Sequence, residues 1–183
     1  MSDLFPRAGR VKSGYRRDQV DGFFSSARES YEHPSGATMT ALDVRRAAFD
    51  LKRGGYTTSA VDAALDRLEQ AFATRARDQY VRAHGQEAWL QDLAARAQVL
   101  YPRLRRPRGE RFARPSGVSA GYDAKAVDDV LDRITGFFDR GEPLTAADIR
   151  GVAFARRPKW SAYDERVVDA FLARTVDILL GVA

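Results

Sequence analysis

The sequence predicts an all-α protein, laid out as a tandem duplication of a two-unit helical half. Three observations carry that expectation. The first is a short motif present four times: Tyr15 is followed at five and six residues by Val20 and Asp21, Tyr56 by Val61 and Asp62, Tyr122 by Val127 and Asp128, and Tyr163 by Val168 and Asp169. A small residue precedes each Tyr (Gly14, Gly55, Gly121, Ala162) and an apolar frame follows in the same phase: Val20, Phe24, Ala27, Tyr31, then Val61, Leu65, Leu68, Phe72, then Val127, Leu131, Ile134, Phe138. The fourth frame, Val168, Leu172, Thr175, Leu179, breaks once, at Thr175. Such spacing lines one face of a helix, so each copy reads as a turn closed by Tyr and a helix that needs a partner for its stripe. The second observation is a longer repeat: Phe5, Tyr15, Asp21, Tyr56 and Asp62 return 107 residues later as Phe112, Tyr122, Asp128, Tyr163 and Asp169, and Thr40, Asp43, Val44, Arg45 and Phe49 return after 105 as Thr145, Asp148, Ile149, Arg150 and Phe154. Self-similarity at a fixed period decides architecture before anything else does. The third is the lack of any alternating apolar–polar run longer than four residues.

In chain order, the spacing predicts an extended arm over 1–14 and a helix over about 17–32, stopped by His33-Pro34-Ser35-Gly36. Thr40 with Asp43 forms a capping box opening a short helix that reaches about Phe49. Gly54-Gly55 makes a turn, Thr57 or Thr58 caps, and a helix runs over about 59–83. A further helix over about 86–101 presents Trp89, Leu90, Leu93, Ala97 and Leu100, and 102–111 reads as a basic, Pro-containing linker. The second half repeats the plan: arm at 112–120, helix to about Arg140 ended by Gly141-Glu142-Pro143, a short helix capped by Thr145 with Asp148, a loop over 155–161, and a last helix to about Leu180. The expected domains are 1–74, an inserted helical hairpin and linker at 75–111, and 112–183. Within each half the two long helices can lie parallel or form an antiparallel hairpin. The return segment between them favours the parallel pair. The arms near Val11 and Val118 are candidates for a brief strand pairing.

Composition narrows the function classes. With no Cys there is neither a disulfide framework nor thiolate chemistry, and no apolar run approaches the roughly 20 residues a bilayer crossing takes. The first residues, Met1 to Arg7, have no signal-peptide core, so a cytoplasmic protein is expected. The net charge of +5 suits an anionic lipid surface or an acidic partner. Aromatics interleaved with basic residues and a groove-reading helix are both missing, so nucleic acid is not expected as a partner. His33 and His84 stand at helix stops without metal-ligand spacing, and no acid–base cluster, phosphate-cradling Gly loop or nucleophile elbow occurs. The expectation is therefore a non-enzyme without cofactor or metal.

Four tyrosines and four aspartates recur. Tyr15, Tyr56, Tyr122 and Tyr163 are expected to pack at helix starts with their hydroxyls bonded locally. Asp21, Asp62, Asp128 and Asp169 sit one turn into a helix, where negative charge suits the dipole, and are candidates to pair with Arg45 and Arg150. Trp160, with Arg156, Arg157 and Lys159 beside it, is the candidate contact residue. It can stand exposed at a membrane interface or acidic protein groove, or fold back on the last helix.

Thr40-x-x-Asp43-Val44-Arg45, Phe49, Gly55-Tyr56, Val61-Asp62 and Leu65, and again Leu144-Thr145 through Asp148-Ile149, Phe154, Tyr163-Asp164 and Val168-Asp169-Ala170-Phe171-Leu172, resemble the N-terminal domain of the DivIVA family. Gly121-Tyr122-Asp123 with Val127-Asp128 and Leu131 matches the second part of that motif, and Gly14-Tyr15 with Val20-Asp21 and Phe24 matches it more loosely. The chain is thus similar to proteins built from repeated DivIVA-type units. The resemblance implies a cytoplasmic scaffold at division septa and poles. It also implies a parallel dimeric domain that touches membrane through an aromatic and a basic residue just before the Gly-Tyr. Here that position holds Lys12, Arg53, Ser119 and Trp160, and the family's long C-terminal coiled coil has no counterpart in the sequence. The function expected is a scaffold or adaptor of the cell-division or polar-growth machinery, acting on protein partners as a monomer or weak homodimer. The alternative is a peripheral membrane module at the inner face of the membrane, using the Trp160 loop.

Overall fold

A computed structural model describes residues 3–9, 12–33, 39–117 and 119–182. The protein is mostly helical, with a few strands of two or three residues, in two compact units, Met1–Gln79 and Tyr80–Ala183. No helix among the described residues is long and apolar enough to cross a membrane.

The first unit holds β1 (Ser13–Tyr15), α1 (Arg17–Glu32), α2 (Ala41–Arg45), β2 (Leu51–Arg53) and most of α3 (Thr58–His84). The Tyr motif sets its geometry. Tyr15 and Tyr56 exchange main-chain hydrogen bonds of 2.9 and 2.8 Å, and β1 runs antiparallel to β2 with Ser13 opposite Arg53. The pairing is so close that a Cβ at Gly14 would collide with the Tyr56 carbonyl oxygen, which is why a small residue must precede the Tyr. The stripes of α1 and α3 then meet in sequence: Val20 packs with Val61 and Tyr56 in one cluster, and Ala27 with Phe72 and Val44 in the next. At the far end the Tyr31 ring meets Phe72 edge-on, at 5.5 Å. The short α2 bridges them, held by the expected capping box: the Thr40 hydroxyl accepts from the Asp43 amide, and the Asp43 carboxylate accepts from the Thr40 amide.

The second unit holds α4 (Gln86–Gln98), α5 (Tyr101–Leu104), β3 (Gly121–Asp123), α6 (Ala124–Arg140), α7 (Ala146–Arg150), β4 (Arg156–Arg157), β5 (Ala162–Tyr163) and α8 (Glu165–Val182). Its sheet order is β4-β3-β5, all antiparallel, with Tyr122 opposite Tyr163. Val127, Leu131 and Ile134 of α6 and Val168, Phe171, Leu172, Val176 and Leu179 of α8 are buried. The α6 helix ends on Gly141 in the left-handed region at φ 68°, where its amide reaches the Phe137 carbonyl and Glu142 N–H the Gly136 carbonyl. Thr145 and Asp148 repeat the capping box. Thr175, the break in the fourth stripe, is fully buried because its hydroxyl donates back to the Phe171 carbonyl at 3.1 Å.

Two expectations change, and a third lies outside the described residues. The segment 75–111 is not a body of its own: α4 and α5 belong to the second unit, where the Trp89 indole N–H donates to the Gly181 carbonyl at 3.1 Å and a Cβ at Gly181 would press on Leu93. The stretch read as a basic linker is bound onto the second unit by its own arginines. Arg103, Arg111 and Arg114 reach the carbonyls of Arg111, Asp128 and Ala162. Val11 and Val118, where a strand pairing was expected, lie outside the described residues. The strands beside them, β1 and β3, pair with the loops entering the next Tyr.

Candidate functional site

Two features lie outside the demands of packing alone: the Tyr–Asp pairs at the helix roots, of which Tyr163–Asp128 is fully buried, and the loop that carries Trp160.

In the second unit the Tyr163 hydroxyl donates to the Asp128 carboxylate, 3.1 and 3.3 Å from its two oxygens, and accepts from the Arg111 amide at 3.1 Å. Asp128 takes a further bond from the Gly109 amide at 2.7 Å. The Arg111 guanidinium, 6% exposed, donates to the Asp128 carbonyl at 2.9 Å and to Asp132 at 2.5 Å, and stands 3.8 Å from the Asp128 carboxylate. Arg108 binds Asp129 and Asp132 outside it. In the first unit the Tyr56 hydroxyl accepts from the Leu4 amide at 3.1 Å and stands beside the Asp21 carboxylate. Tyr15 faces Asp62 and Tyr122 faces Asp169 in the same way. Burial raises the pKa of all four hydroxyls above the ordinary value, with the neighbouring carboxylates adding to it. Burial likewise raises Asp169, against the hydrogen bond from Tyr122.

Each motif Tyr therefore faces the Asp of the other copy in its own unit, and Tyr163 hydrogen-bonds it. Arg45, a candidate partner of the motif Asp residues, bonds the buried Glu69, at 2.7 and 2.6 Å. Asp128 gains its guanidinium from the arm. The repeat could not point to Arg111, because its counterpart 107 residues earlier is Leu4.

The second feature is the loop 156–161. Arg156 pairs with Glu165 through two bonds of 2.7 and 2.8 Å, and Arg157 with Asp123 at 3.0 Å, which fastens the start of the loop to two helix starts. Those arginines hold the Glu165 and Asp123 carboxyls below their usual range. After them a 3₁₀ turn, Lys159–Ser161, closes with the Ser161 amide on the Pro158 carbonyl at 3.0 Å. Of the two positions the sequence left open, Trp160 takes the outward one, with 79% of its surface exposed. With Gly117, Ala120, Arg156, Arg157, Pro158 and Lys159 it lines an open cleft. The same place in the first unit is β2, where Leu51 is exposed beside Lys52 and Arg53. No group of acidic or His residues that could hold a metal occurs among the described residues.

Comparison with protein-family models, with curated proteins and with solved structures finds no match for this chain.

Proposed function

We propose that this chain is a non-enzymatic adaptor built from two DivIVA-like pseudo-dimers, one in each compact unit, which engages a partner of the division or polar-growth machinery through the Trp160 loop. The observation that carries it is the exchange of Tyr and Asp between copies: Tyr15 with Asp62 and Tyr56 with Asp21, then Tyr122 with Asp169 and Tyr163 with Asp128. Reciprocal contacts of this kind are the mark of a two-fold pair, where residue i meets j and j meets i. Within each unit the exchange joins segments of one polypeptide, so two copies in tandem take the place of two chains. The advance of contacts from Val20 with Val61 to Tyr31 with Phe72 supports parallel helices, the arrangement the resemblance implies. Duplication of an ancestral half accounts for the shared element order of the two units.

The Trp160 loop supports the contact role. An indole held outward by two ion-paired arginines costs apolar exposure that a contact would relieve. The test is fluorescence localisation of the full chain in its native cell, beside Trp160→Ala. Focal septal or polar signal that the substitution disperses is the expected result; diffuse signal from the unaltered chain refutes the reading. The flanking Arg156, Arg157 and Lys159 also favour a second reading, a peripheral membrane module. Co-sedimentation with vesicles containing anionic lipid, lost in Trp160→Ala, is its signature.

A further inference from the structure

We propose that a groove beside the N-terminal half of α8 binds a peptide segment carrying one large apolar side chain flanked by carboxylates. Besides the repeat stripe, α8 carries a second one, Val167, Ala170, Phe171 and Arg174, at helical spacing. The α4 helix covers the far end of α8 through Trp89 and Leu93 at Gly181. Toward the start of α8 it leaves a cavity of ≈190 Å³ floored by the buried Leu100, Phe112 and Phe171, with Val99, 59% exposed, on its lip. A whole small-molecule ligand takes about 300–1,000 Å³, so this space suits a single side chain of a longer partner.

Charge selects that partner. Arg103 and Arg174 line the groove, and no acidic residue is among the described residues that do. The Arg103 guanidinium lies over the Phe112 ring, 4.9 Å from its centre, with one nitrogen donating to the Arg111 carbonyl at 2.9 Å. A guanidinium has five N–H donors in a fixed fork, so Arg103 is pre-set to receive a carboxylate beside an apolar floor. Burial and the nearby Arg106 depress its pKa, a cost that an incoming carboxylate offsets. This contact is separate from the Trp160 loop.

The experiment uses the full ¹⁵N-labelled chain and two acetylated, amidated pentapeptides, Glu-Glu-Phe-Glu-Glu and Gln-Gln-Phe-Gln-Gln, with 4-phenylbutyrate as a third probe. The expected result is amide shifts confined to Val99, Phe112 and 167–174 on adding the Glu peptide. Its affinity should fall by about tenfold or more with the Gln peptide or in Arg174→Glu, and it should be blocked in Ala170→Trp. Both altered side chains are exposed, and circular dichroism checks that the variants fold. Trp160→Ala should leave the binding unchanged, which separates this test from the localisation test. No binding at millimolar peptide, equal binding of the Gln peptide, or shifts elsewhere overturns the proposal. So does 4-phenylbutyrate binding as tightly as the peptide, which assigns the groove to a small acid. A dimer of the chain that Ala170→Trp dissociates overturns it as well, by assigning the groove to a second copy.

Discussion

Arg111 and Leu4 occupy the same place in the two arms, each giving its amide to a motif Tyr at 3.1 Å, yet their side chains do opposite things. Arg111 is buried against Asp128, whereas Leu4 is 58% exposed and one oxygen of Asp21 is buried with no partner among the described residues. Removing Arg111 leaves Asp128 buried with only Tyr163 and the Gly109 amide to hold its charge. Arg111→Ala should therefore destabilise the second unit by about 3 kcal/mol, the low end for breaking a buried pair. Leu4→Ala should cost much less. Urea unfolding of the two variants makes the comparison. The tyrosines carry a pH signature. Their folded pKa values lie above the ordinary 10, so the fold favours the protonated hydroxyl. The stabilisation is complete below about pH 10 and is lost as pH rises through the folded values, because the unfolded chain ionises first. Ultraviolet titration should show motif tyrosinates appearing late and together with unfolding. Replacing Tyr56 and Tyr163 by Phe should remove part of that alkaline loss.

At the scale of the element, the short strands matter more than their length suggests. Three residues of β3 lock the root of α6 to the loop before α8, and the lock needs Gly121, where a Cβ would run into the Tyr163 carbonyl oxygen and the Pro115 ring. Gly121→Ala should lower the melting temperature of the second unit sharply, with a loss of about 2 kcal/mol or more since backbone must shift. Gly109→Ala tests the control case of strain from positive φ (83°) without collision and should cost about 1 kcal/mol. The long helices and the caps were legible in the sequence: the observed α1, Arg17–Glu32, has the bounds its stripe and stop signal predict, and Thr40 and Thr145 cap as expected, whereas the two short helices stop at Arg45 and Arg150, short of the Phe49 and Phe154 expected. The strands were not legible, because two or three residues cannot display an alternation and their pairing is made by the Tyr main chain. Trp160 was legible as a residue and not as an orientation, which depends on Arg156 finding Glu165 and Arg157 finding Asp123. The fastening of 103–114 was hidden for a different reason. A basic run looks alike whether water or carbonyl oxygens solvate it, and Asp128 and Asp132 are distant in the chain.

For the whole molecule, Tyr–Asp pairs that face each other within one chain predict a particle that does not need a second copy to fold. Light scattering behind size exclusion should give a mass near 20.4 kDa at micromolar concentration. An obligate dimer, with Tyr56 of one chain on Asp21 of another, would contradict the pseudo-dimer. The groove by α8 and the Trp160 loop both lie in the second unit, so the first unit is expected to be the more tolerant of surface change.

The proposed joining of both partners of a two-fold pair in one polypeptide bears on freedom to diverge. In a symmetric homodimer every substitution appears twice, so a feature that is useful at one apex and harmful at the other cannot be kept. Here the four corresponding apex positions hold Lys12, Arg53, Ser119 and Trp160. Under the proposed pairing, covalent linkage lets the molecule be handed: a single indole stands at one of the four positions, and a partner docking there would meet the protein in one orientation and at a stoichiometry of one.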